Sequence, residues 1–136
     1  MDTEKFKRDH GDIMAHVTQL KKFTQAGIVE NADAIAKQIV AMSSVIKLHL
    51  AAEDRVLYPA LAKSADPDIA RVGKEFQQNM GDIAAAYMKF ASSWNTGKKV
   101  SEDPDGFRIE ANSTLKALHQ RIQMENNELY PLADKI

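Results

Sequence analysis

The sequence predicts an all-α protein, an antiparallel up-down-up-down four-helix bundle. Three observations carry this. Apolar residues recur at helical spacing through four long stretches. Residues that start and stop helices punctuate those stretches. No stretch alternates with the period of two that a half-buried strand needs. The 136 residues are enough for one domain, residues 1–136, with a real core, and an apolar fraction of 44% is ordinary for a globular chain.

The first helix is expected from about Thr3 to Thr24. Phe6, His10, Ile13, Val17 and Leu20 step by four, three, four and three, which draws one apolar stripe. His10 lies on that stripe. His16 is turned well away from it and is expected to be solvated. Gly27 is placed to end the helix, where a residue tolerant of positive φ is useful.

The second helix is expected to start after Asn31 as N-cap. Its stripe is Ile35, Ile39, Met42, Ile46, His49, Glu53, Val56 and Ala60, with no break in period, so His49 and Glu53 fall on core positions. Pro59 lacks an N–H and is expected to kink or end this helix near Ala62. Asp66-Pro67 reads as N-cap and first residue of the third helix. Its stripe runs Ile69, Gly73, Phe76, Met80, Ile83, Tyr87, Phe90 and Trp94. Thr96 to Glu102 is polar, contains Gly97, and is expected to be the one clear loop. Asp103-Pro104 repeats the helix-start signal. The fourth helix turns Ala111, Leu118, Ile122, Glu125, Leu129 and Leu132 inward, with Arg121 at the edge of the same face.

The two halves echo each other. Asp9-His10-Gly11-Asp12-Ile13 matches Asn79-Met80-Gly81-Asp82-Ile83, and E-x-x-x-L-Y-P occurs at Glu53 and again at Glu125. Met80 therefore holds the place of His10, and Arg121 the place of His49. Residues on facing helices of a bundle converge at one level, which is how such folds build metal sites. His49 and Glu53, at i and i+4, share a face. His10 and Glu125 can join them from neighbouring helices. Two imidazoles and two carboxylates suit iron, manganese or zinc. The alternatives are structural. His10 can bond a backbone carbonyl or water, His49 can pair with Glu53, and Glu125 can pair with Arg121 and bind nothing.

H-x-x-x-E-D-x-x-L-Y-P at His49, the earlier His10, and M-E-N-N-x-L-Y-P at Met124 resemble the hemerythrin-like HHE cation-binding family over nearly the whole chain. That resemblance implies a four-helix bundle holding two irons, with acids that bridge them. Carried over by position, it implies His10, His49, Glu53 and Glu125 as metal ligands. The family's third-helix His falls on Met80 and its fourth-helix His on Arg121. Both departures strike the same half, so one iron position should be empty. Arg121 would fill it with a fixed cation, since its fork meets carboxylates bidentately. Met80 would fill the remaining volume, being a poor ligand for a hard ion. His119, six residues before Glu125, becomes a substitute ligand only through a helix bulge. Tyr58 and Tyr130 either seal the bundle end or bond a ligand.

The expected function is metal binding, with one iron or none and with zinc or manganese as the other metals. The site is mononuclear or degenerate. It would serve binding or sensing of oxygen, nitric oxide or the metal, since O2 transport needs two irons. The rival reading is a metal-free structural or partner-binding bundle with a buried Arg–Glu network. No separate acid–base pair or substrate pocket supports catalysis. The net charge of −1 with scattered Lys and Arg argues against a nucleic-acid surface. The absence of cysteine excludes disulfides and thiolate metal sites. MDTEKFKRDH lacks the apolar core of a signal peptide, and no apolar run is read as long enough for a membrane span, so a cytoplasmic setting without membrane contact is expected.

Overall fold

In the computed structural model, which describes residues 1–136, every regular element is helical. Seven α-helices follow in order: α1 Glu4–Ala26, α2 Ala32–Ala52, α3 Tyr58–Ala62, α4 Pro67–Ser93, α5 Gly97–Glu102, α6 Pro104–Met124 and α7 Tyr130–Asp134. A π-turn at Glu53–Leu57 carries α2 into α3, and another at Glu125–Leu129 carries α6 into α7.

The α1 stripe is buried as read, from Phe6 through His10, Ile13 and Val17 to Leu20. Gly27 closes the helix at φ 127°, its N–H donating to the Thr24 carbonyl. Asn31 precedes α2 without capping it; its side-chain amide donates back to the Gly27 carbonyl at 2.8 Å. Asp66 and Asp103 do cap, accepting from the N–H groups of Asp68 and Gly106, each beside a proline in the first turn.

Besides the missing Asn31 cap, the sequence reading of the fold needs three corrections. The stretch from Thr96 to Glu102 is not a loop. Thr96 caps α5 by accepting from the Lys99 N–H, and Val100 is fully buried. One apolar residue on so short a helix leaves no period to read.

The inward stripe of the second helix is also broken. Val56 is 50% exposed, while Leu57 and Leu61 are fully buried. The π-turn inserts one extra residue after Glu53, so the core face moves on by one position. The Tyr58 N–H reaches back five residues to the Glu53 carbonyl, and the Tyr130 N–H does the same to Glu125. A proline follows each of these tyrosines. In an α-helix its ring would meet the carbonyl four residues earlier, and the wider turn relieves that clash.

The third correction concerns length. Ala32–Ala62 is the one helical run long and apolar enough to cross a membrane by length and composition, with a mean hydropathy of 1.2 in its most apolar window. It is apolar on both faces: Ile35, Ile39, Met42 and Ile46 are buried, while Val40, Leu48 and Val56 are exposed.

The apolar core falls into two clusters. The larger joins Ile13, Val17 and Leu20 to Ile35, Ile39, Met42, Ile46, Tyr87, Phe90, Phe107, Leu118 and Ile122, among others. The smaller gathers Phe6, Leu57, Tyr58, Leu61, Phe76, Leu129 and Tyr130 with their neighbours. Each buried side chain of this size is worth roughly 1.5–3 kcal/mol relative to exposure. Along α1, His10 lies between Phe6 of one cluster and Ile13 of the other. His49 and Glu53 lie between Ile46 and Leu57, and Glu125 between Ile122 and Leu129. The polar residues thus form a layer between two apolar ones.

Candidate metal centre

The side chains singled out in the sequence as ligands meet in this layer. His10, His49, Glu53 and Glu125 are 3%, 4%, 0% and 2% exposed, so water cannot solvate their polar atoms. Each imidazole is anchored by its outer nitrogen. Nδ1 of His10 donates to Asn126 Oδ1 at 2.8 Å, and Nδ1 of His49 donates to Asp9 Oδ2 at 3.1 Å. Both Nε2 atoms are therefore turned inward, and partners of this kind fix a ring for ligation. The two rings lie with centroids 4.7 Å apart.

The inward atoms converge. His10 Nε2 stands 2.9 Å from Glu125 Oε1. His49 Nε2 stands 3.3 Å from Glu53 Oε1 and 4.0 Å from Glu125 Oε1. Ligand atoms of His10, His49 and Glu125 all lie within 4.8 Å of one another. His49 Nε2 and Glu53 Oε1 stand at ion-pair distance but without hydrogen-bond alignment, and both are buried with no hydrogen-bond partner. Buried polar atoms are rarely left so, and each orphan calls for an explanation. A cation between them satisfies both.

Each carboxylate is divided between two tasks. Glu53 Oε2 accepts from the Tyr130 hydroxyl at 2.8 Å, which leaves Oε1 free. Glu125 Oε2 accepts from Arg121 Nε at 3.2 Å, which leaves Oε1 toward the imidazoles. The Tyr130 hydroxyl also lies 3.1 Å from His10 Nε2.

Arg121 is 3% exposed, so it is not an edge residue. Besides Glu125, its guanidinium donates to the Phe76 carbonyl at 2.7 Å and to the Tyr58 hydroxyl at 3.2 Å. It also stacks over the Phe76 ring at 4.6 Å. Met80 is buried on α4. His119 is exposed beside Gln123, and the helix irregularity that could have turned it inward begins only at Glu125. His16 is half-buried against Gln38 rather than solvated.

Charges in this layer compensate one another. Burial alone would lower the His49 pKa, but Glu125, Glu53 and Asp9 outweigh it and raise it to about 10. Burial would raise the Glu125 carboxyl, but His10, His49 and Arg121 bring it down to about 2. Burial, with the neighbouring acids, pushes the Tyr130 and Tyr58 hydroxyls above their ordinary range, so both stay protonated donors.

Sequence reasoning missed Asp9 and Asn126. Neither sits on an apolar stripe, and nothing but adjacency to His10 and Glu125 marked them. The role of Tyr130 had a signal. In a π-turn residues five apart share a face, and Glu125 stands five before Tyr130, as Glu53 does before Tyr58.

No curated protein and no solved structure matches this chain significantly. The family profile described as hemerythrin HHE cation binding domain matches residues 1–133. With nearly its whole length matched and its His and Glu side chains gathered in one buried layer, the chain belongs to the hemerythrin HHE cation-binding domain family.

Proposed function

We propose that this chain is a single-domain antiparallel four-helix bundle that binds one metal ion through His10, His49, Glu53 and Glu125. Iron is the favoured ion, with zinc and manganese as alternatives that the same ligands accept. The site serves binding or sensing of oxygen, nitric oxide or the metal itself, not reversible O2 transport. The carrying observation is the pair of orphaned atoms, His49 Nε2 and Glu53 Oε1, facing each other at 3.3 Å in a fully buried layer. The protein's own residues do the positioning. Asn126 and Asp9 orient the imidazoles, and Tyr130 and Arg121 each hold back one carboxylate oxygen. A bound redox-active ion supplies an open coordination position for a diatomic ligand.

Arg121 stands in for a second ion. Its guanidinium takes the position-equivalent of His49 in the other half, and its contacts with Glu125, Tyr58 and the Phe76 carbonyl hold it there. The second reading is a metal-free bundle whose old site is now a structural ionic network. The satisfied Arg121 fork and the Glu125–His10 pair favour it.

Elemental analysis of protein purified without a tag or added metal decides between them. One equivalent of metal, lost in His49→Ala, supports the first reading. No metal, even after ferrous iron is offered without oxygen, overturns it in favour of the second. A Met80→His, Arg121→His double variant should take up a second equivalent. If the parent holds one and the variant still holds one, the account of Arg121 is wrong.

A further inference from the structure

The metal layer is sealed: none of its four proposed ligands is more than 4% exposed. A diatomic ligand therefore needs a path through the protein. The layer lies between two apolar clusters, so such a path has to cross packed side chains. Its entrance should be apolar and adjacent to that layer.

One cavity has these properties. It lies between α4 and α6, has a volume of about 170 Å³, and is lined by Ile83, Ala86, Tyr87, Ala117 and Leu118, with Asp82 and Thr114. Tyr87 and Leu118 are buried and form its floor, while Ala86 and Ala117 are exposed at its mouth. Enclosed apolar cavities of about this size take up small apolar molecules such as xenon; this one is open at its mouth, but its floor offers the same kind of apolar wall. The larger groove between α2 and α4 is mixed: Ile39, Val40, Met88 and Ala91 share its lining with three serines, Lys47 and Asn95, polar groups that suit water.

The position of the small cavity is as telling as its lining. Ile83 is one turn beyond Met80 on α4, and Leu118 is one turn before Arg121 on α6. Met80 and Arg121 do not line the cavity, but they stand one helical turn from its lining residues, in the half of the layer where they take the place of histidines. Met80 has an unbranched, flexible arm, and a thioether yields where an imidazole anchored for ligation would not. Arg121 cannot yield, because it is held at three points.

We infer that this α4–α6 cavity is a binding site for small apolar gas molecules and the start of their route to the polar layer, with Met80, one turn from Ile83, as the side chain that moves to let them pass. That the route ends at a metal rests on the function proposed above; the cavity itself does not.

The test uses xenon on the metal-free full-length protein, read by the NMR shifts of the Ile83, Leu118 and Met80 methyl groups. Saturable shifts at all three, abolished in Ala117→Phe, are expected. No shift at Ile83 and Leu118 overturns the cavity as a site. Shifts there without any at Met80 overturn the route. Shifts that persist in Ala117→Phe place the xenon elsewhere and overturn the assignment. In iron-loaded protein, Ala117→Phe should slow nitric oxide association by an order of magnitude at unchanged iron content. An unchanged rate overturns the route even if xenon binds. Failure to load iron would count against the proposed function, while the xenon result would still decide the cavity.

Discussion

Arg121 and Glu125 set the energetics of the site at the scale of single residues. Removing one member of a buried pair leaves the other charge uncompensated, at a cost of about 3–5 kcal/mol. Arg121→Ala should destabilise the metal-free protein by that amount, read by urea unfolding near neutral pH. The loss should shrink in acid, where protonation of Glu125 removes its uncompensated charge. An equal loss at both pH values would show that packing against Phe76, not charge, is what Arg121 supplies. Between pH 2 and 10 two shifted groups shape the wild-type pH profile. The His49 pKa rises from 6.5 to about 10 on folding, so its stabilisation is complete below 6.5 and is lost as pH climbs through 10. The Glu125 pKa falls from 4.5 to about 2, so its stabilisation is complete above 4.5 and is lost as pH drops through 2. Urea midpoints of the metal-free protein should therefore plateau between 4.5 and 6.5 and decline on either side. His49→Gln should remove the part of the alkaline decline that lies between 6.5 and 10. The gathering of His10, His49, Glu53 and Glu125 was legible in the sequence because all four sit on helical stripes. Asp9 and Asn126 were not, because a side chain that leaves its own stripe to reach another helix has no period.

At the scale of elements, apolar periodicity located the long helices, and prolines and caps located most of their starts. It failed at two kinds of place. The first was α5, too short to repeat. The second was the π-turns, where one inserted residue moved the core from Val56 to Leu57. The clue was Tyr-Pro five residues after each Glu, but hydrophobicity alone could not weigh it, because Val56 is as apolar as Leu57. Gly73, by contrast, was placed on the inward stripe and is buried where α4 crosses α3. A Cβ there would come within 2.8 Å of the Leu61 Cβ, and Leu61 is fully buried and cannot retreat. Ala is the better helix former by about 0.8–1.0 kcal/mol. Overpacking a tight crossing costs about 1–3 kcal/mol. Gly73→Ala should therefore lower the melting temperature. A rise would mean that the two helices slide apart at little cost.

For the molecule as a whole, a ligand that binds only the folded state stabilises it by mass action. Iron at a hundredfold its Kd should add about 2.7 kcal/mol to the unfolding free energy. Calorimetry with and without ferrous iron, in the absence of oxygen, reads this directly. An unchanged melting temperature would favour the metal-free reading. The buried guanidinium has one more consequence. A metal ion is borrowed from its surroundings, and a chelator or a period of scarcity can take it back. Arg121 is tethered by peptide bonds and cannot be withdrawn. A counter-charge for the buried Glu125 is thus written into the gene. If the function proposed above holds, the chain without its metal still keeps a counter-ion for Glu125.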